Sequence, residues 1–104
     1  MYLKNYETIY VLKPNGTDTI NLSIINYYKT FIKQKGGLNL VVQHRGRRHL
    51  SYNINNYYDG IYIQMNYKAN GKLIKSLEQS MRIDSNIIRY LIVKSRIEDS
   101  LSIF

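Results

Sequence analysis

The sequence has no cysteine, no tryptophan, a single proline and only six glycines among 104 residues. The missing thiol excludes disulfides, zinc–thiolate centres and a cysteine nucleophile. A cross-link is dispensable at this length, because a domain of about 100 residues buries roughly two-thirds of the surface its unfolded chain exposes. No apolar run approaches the roughly 20 residues that a helical membrane span needs. Acid is scarce as well. Glu7, Asp18, Asp59, Glu78, Asp84, Glu98 and Asp99 are few and scattered, which speaks against hydrolytic catalysis.

Against those seven acids stand fifteen Lys and Arg, a net charge of +8. Such an excess on one small domain favours an anionic partner, above all nucleic acid. Apolar residues at 44% and aromatics at 12% argue against a disordered chain. The opening "MYLKNYETIYVL" has no basic leader, apolar block or small-residue cleavage site, so neither a secretory signal nor a transit segment is expected there. Heavy use of Asn, Ile, Lys and Tyr, whose codons are AT-rich, points to an organelle genome or a low-GC bacterium.

Local patterning divides the chain cleanly. Residues 6–13, "YETIYVLK", are β-branched and aromatic, and "PNG" ends them. A helix is predicted over 18–35, capped by Thr17 or Thr19, with Asp18 near the positive end of the helix dipole. Its expected apolar stripe is Ile20, Ile24, Tyr27, Tyr28, Phe31 and Ile32, and Gly36-Gly37 closes it. From Leu38 to Ile54 a strand alternates Leu38, Leu40, Val42 and His44 against Asn39, Val41, Gln43 and Arg45, with a bulge or bend at Gly46. "NNYYDG" marks a turn region, and "GIYIQMNYK" is a strand with Ile61, Ile63, Met65 and Tyr67 on one face. A second helix is predicted over 72–82, with a stripe of Leu73, Leu77 and Met81, and a last strand over 87–94. No internal repeat stands out.

Strand, helix, strand, strand, helix, strand packs economically as an α+β, ferredoxin-like domain over residues 1–94. It is a four-stranded antiparallel sheet with both helices on one face, which leaves the other face open. Residues 95–104, "SRIEDSLSIF", show no period and read as a C-terminal tail.

Candidate chemistry centres on "HRGRRHLSYNI", residues 44–54. His44 and His49 would face opposite ways on a regular strand, and a bulge at Gly46 would restore one side. No further ligand accompanies them, so no metal is expected. Neither histidine has a serine or carboxylate in a recognisable triad. "KQKGG" lacks the Gly-Lys-Ser/Thr ending of a phosphate loop and follows a helix instead of opening one. Small acyl-phosphate hydrolases of this architecture hold phosphate with a loop arginine, whereas these arginines lie on a strand. Catalysis and cofactors are not expected. Arg45, Arg47 and Arg48, with Tyr52, Tyr57 and Tyr58, combine phosphate-forking charge with planar groups suited to RNA. Charges on an edge strand also block edge-to-edge aggregation. The common RNA-recognition domain fits poorly, because "DGIYIQMNY" has Ile61 where its first aromatic belongs.

Several blocks, in order, resemble the bacterial-type small-subunit ribosomal protein six family over residues 6–94. "YETIYVLKP" is similar to the family's opening, and "GRRHLSYNI" to its Gly-x-Arg/Lys-x-Leu-Ser/Ala-Tyr-x-Ile signature. "DGIYIQMNY" and "MRIDSNIIRYLIVK" are similar to its third strand and the junction before its fourth. Asn53 stands where many members have proline, and Asn55 and Asn56 replace basic residues common after the signature. The resemblance implies a non-catalytic constituent of the small ribosomal subunit. It would bind the central domain of small-subunit rRNA together with small-subunit ribosomal protein eighteen, without membrane or small-molecule substrate. Charge position assigns RNA contact to Lys4, Arg45, Arg47, Arg48, Arg89 and Lys94. Partner contact falls to Tyr52, Ile54, Tyr57 and Tyr58. The codon bias and the absent leader fit a plastid-encoded protein of the chloroplast stroma, with a bacterial cytoplasm as the alternative. From other classes, a homo-oligomeric regulatory module binding a small ligand and a phosphate-handling enzyme remain open.

Overall fold

Thr8, Tyr10 and Leu12 point to one side of the first strand and bury completely, while Glu7, Ile9 and Val11 point to the other. The computed structural model describes residues 3–54 and 56–94. Its elements are β1 (Lys4–Leu12), α1 (Asp18–Gln34), β2 (Leu38–Ile54), β3 (Tyr57–Ala69), α2 (Gly71–Ile83) and β4 (Ile87–Lys94). The sheet is antiparallel with order β2-β3-β1-β4, so the expected ferredoxin-like topology is present. The expected tail, 95–104, lies outside the described residues.

One sheet face carries Tyr10, Leu12, Ile63, Met65 and Tyr67 against both helices. Leu73, Leu77 and Met81 of α2 meet it, as their spacing predicts. The stripe expected on α1 is partly wrong. Its buried residues are Asn21, Ile25, Tyr28 and Ile32, whereas Ile20 and Tyr27 are exposed. Buried Asn21 sits in line with Ile25, and this polar member hid the true face from a search for apolar period. Thr17, not Thr19, caps α1, accepting from Ile20 N at 3.2 Å. Gly36, at φ +96°, and Gly37 close its other end, with Gly37 N donating to Ile32 O at 2.8 Å.

β2 departs from simple alternation twice. Asn39 takes φ 55°, and the register slips between Leu38 and Val41. Leu38 is therefore opposite Lys68 and exposed, off the face expected for it. Gly46 takes φ +85°, and the register slips again between His44 and Gly46, as the bulge reading anticipated. The turn region is shorter than "NNYYDG" implies: β3 begins at Tyr57, directly after Asn56 at φ 68°. β1 ends opposite Ile61, so most of residues 48–60 form a two-stranded arm beyond the four-stranded body.

Candidate nucleic-acid and partner interface

The bulge decides where each arginine goes. His44 pairs with Ile63 and Arg47 with Ile61, which places both on the helix side of the sheet. Gly46 pairs with Tyr62 and Arg48 with Gly60, on the open side. Arg45, the extra residue, also turns to the open side, where its Nε and Nη2 donate to Gln64 Oε1 at 3.0 and 2.8 Å. Gln64 Nε2 donates onward to Asn66 Oδ1 at 3.1 Å. The Arg48 guanidinium lies 6.0 Å from the centroid of the Tyr62 ring. An insertion of one residue thus splits a run of three arginines between two faces.

Rows of the open face read across the sheet from the register. One is Gly46, Tyr62, Val11 and Arg89; the next is Gln43, Gln64, Ile9 and Leu91; a third contains Asn66, Glu7 and Val93. Ile9, Val11, Leu91 and Val93 make an apolar band, with Leu91 58% exposed. Arg45 and Arg48 flank it on one side and Arg89 on the other. Arg89 Nη1 donates to Tyr52 Oη at 3.0 Å, tying the last strand to the arm. A cleft bordered by Ile9, Arg45, Arg48, Tyr62 and Gln64 opens on this face.

Glu7 is buried in the middle of this basic surface. Desolvation pushes its carboxyl pKa up, and the charge of Arg45 offsets part of that rise. Oε2 of Glu7 is buried without a hydrogen-bond partner among the described residues.

The other expected RNA residues fall elsewhere. Arg47 donates through Nη2 to the Pro14 carbonyl at 2.8 Å and lies 3.6 Å from Asp59. His49 Nδ1 is 2.6 Å from Asp59 Oδ1. His44 and His49 do share a side, yet no three His, Asp or Glu among the described residues are grouped to hold a metal. Lys4 and Lys94 sit at the far end of β1 and β4, near one another. Their mutual contact and like charge lower the pKa of Lys94.

Of the expected partner residues, Tyr52 and Tyr58 are 62% and 69% exposed, while Ile54 and Tyr57 are half-buried. The Lys13 ammonium lies 6.0 Å from the Tyr57 ring centroid. All four belong to the arm. Sequence reasoning did not single out Ile9, Val11, Tyr62, Gln64, Leu91 or Val93. A signal for them existed: "TIYVL" is apolar on both faces of a central strand, which makes sense when both faces are covered.

The chain is thus a ferredoxin-like domain whose outer sheet face carries an arginine-flanked, partly exposed apolar band and whose central hairpin extends into an aromatic arm. The model of the family described as Ribosomal protein S6 matches residues 5–94. Small ribosomal subunit protein bS6c of Gracilaria tenuistipitata var. liui is 56% identical over 95 residues, 91% of this chain and 92% of that protein. Small ribosomal subunit protein bS6 of Picosynechococcus sp. is 47% identical over 90 residues, 86% and 78% of the two chains. The crystal structure of 30S ribosomal protein S6 from Thermotoga maritima shares the fold, with a TM-score of 0.85 at 22% identity over 90% of this chain and 89% of that one. The chain belongs to the ribosomal protein S6 family. It is a structural protein of the small ribosomal subunit and not an enzyme. Its plastid and cyanobacterial relatives locate it on the ribosome of a plastid or a bacterium.

Proposed function

We propose that the chain binds the central domain of small-subunit rRNA as a pair with small-subunit ribosomal protein eighteen, on plastid ribosomes in the stroma. The observation that carries this reading is the open sheet face, where arginines border an apolar band. An apolar strip that is exposed at Leu91 and Val93 and has a charged rim matches the composition of a protein interface. Arg45, Arg48 and Arg89 at its border then meet phosphates that run along the joint surface, and Lys4 and Lys94 meet backbone at the opposite end. A phosphate between those two ammoniums relieves their repulsion. Arg47 contributes from the helix side. Tyr52, Ile54, Tyr57 and Tyr58 on the arm supply the protein contact, as exposed aromatics anchor interfaces with little entropy to lose.

Reconstitution tests the division of labour. The chain and protein eighteen are mixed with a central-domain rRNA fragment, and pair formation and RNA binding are measured separately. Tyr52→Ala with Tyr58→Ala should weaken the protein pair by about tenfold or more. An unchanged pair affinity would remove the arm from the partner surface.

A further inference from the structure

Among the described residues, the open face of the four-stranded body carries one acid. Alternation along the strands brings Arg45 and Arg48 of β2, Tyr62 and Lys68 of β3, and Arg89 of β4 to that side. β1 contributes Asn5, Glu7, Ile9 and Val11. Glu7 is therefore a single negative charge in a face of four cations. It lies mid-strand, between Asn66 on one side and Val93 on the other, with Val41 beyond Asn66.

Three features define what this acid requires. Glu7 is 3% exposed, yet its Oε2 has no hydrogen-bond partner among the described residues. A buried acceptor without a donor is costly, and a group that supplies one recovers that cost. Both helices pack on the opposite face, so only neighbouring side chains cover Glu7. The chain's own cations do not satisfy it. Arg45 is held on Gln64, and Gln64 Nε2 donates to Asn66 Oδ1 at 3.1 Å, beside Glu7. Desolvation of the Glu7 carboxyl outweighs the charge of Arg45. A protein seated on Ile9, Leu91 and Val93 would strip the remaining water from Glu7 too. A carboxylate sealed in that way needs a cation in close contact, since pairing alone offsets the loss of hydration. Phosphate is repelled from the same spot by like charge.

We infer that the protein docking on the open face sets an arginine against Glu7. A guanidinium forks a carboxylate with two parallel N–H donors and is the less strongly hydrated of the two basic groups, which suits a site about to be buried. Glu7 then fixes the register of docking and keeps the middle of the face for protein, while phosphates stay at its arginine border. The inference rests on the pairing proposed above and adds a central contact to it. Such a contact has a proton signature. The Glu7 carboxyl of the free chain holds its proton more tightly than an ordinary one. An arginine placed on it favours the charged form, so docking releases a proton, and affinity falls as acid protonates the free chain. The other charged or titratable groups of this face are Arg45, Arg48, Arg89, Lys68 and Tyr62, residue types that do not titrate in mild acid.

Calorimetry of the full chain with protein eighteen, without RNA, tests it from neutral pH down towards 4.5. Glu7→Gln should weaken the pair by about tenfold or more at neutral pH, and the gap should narrow in acid. The same variant removes a desolvated charge and should fold at least as stably as the parent, so weaker pairing cannot come from a damaged fold. Replacing each arginine of protein eighteen in turn by glutamine should find one whose loss weakens the parent pair but not the Glu7→Gln pair. Equal affinity of parent and Glu7→Gln, a parent pair that tightens in acid, or a variant that loses rRNA binding with its pair intact overturns the inference and leaves the pairing itself standing. If the parent chain forms no pair at all, the pairing reading fails and the Glu7 contact falls with it.

Discussion

At the residue scale, the interior polar groups carry the sharpest consequences. Thr8 Oγ1 and Tyr67 Oη are 2.6 Å apart inside the core, and burial pushes the Tyr67 phenol up to about 12. Thr8→Val keeps the shape but orphans that hydroxyl, so thermal or urea unfolding should show a loss of about 1–3 kcal/mol. Glu7 acts in the opposite sense. Its pKa is raised in the folded chain above the ordinary carboxylate value of 4.5, chiefly by desolvation. The folded state therefore holds the proton more tightly than the unfolded state. Any stability this confers is present in acid and is lost as pH rises through the folded pKa. Glu7→Gln should consequently unfold at higher denaturant than the parent at pH 7, with the gap closing as pH falls towards 4.5. A gap that widens in acid would mean that Arg45 stabilises the carboxylate by more than burial destabilises it.

At the element scale, the bulge in β2 sets the interface. Gly46 at φ +85° lets Arg45 and Gly46 together oppose Tyr62. Open space surrounds a Cβ added there, so Gly46→Ala costs about 1–2 kcal/mol through backbone conformation alone. It should also disturb the Arg45–Gln64 contact, which NMR shifts of the Gln64 side chain would report. Gly60 is different, since its added Cβ would collide with Val11 Cγ1 where the arm leaves the body. Elements with one strong period were legible from the sequence: α2, β4 and the core face of β3 are as predicted. Gly46 also announced the bulge. The buried face of α1 was not legible, because its first member is Asn21 and the neighbouring apolar residues Ile20, Ile24 and Tyr27 gave an equally good helical stripe. Nor was the split of the arginines, since a bulge reverses parity only for the residues beyond it. The length of the arm depended on how tightly residues 54–57 turn, and two asparagines permit either a short or a long turn.

At the scale of the whole molecule, extents of 41 × 29 × 20 Å and a radius of gyration of 13.6 Å describe a normal domain carrying one projecting arm. The six residues expected to contact RNA occupy three places: the arginine border of the open face, Arg47 on the helix side, and Lys4 with Lys94 at the far end. A polyanion that touches the first and the last must run the length of β1, roughly 27 Å for its nine residues. Such spacing favours an extended RNA backbone over a compact ligand. The most direct measurement is the salt dependence of rRNA binding by the pair with protein eighteen, comparing the parent with Arg45→Ala, Arg48→Ala. Each phosphate contact contributes about 0.7–0.9 to the slope of log K against log salt. The double variant should therefore bind more weakly and lose about 1.5 from that slope. An unchanged slope, with the protein pair intact, would contradict phosphate contact by the open face.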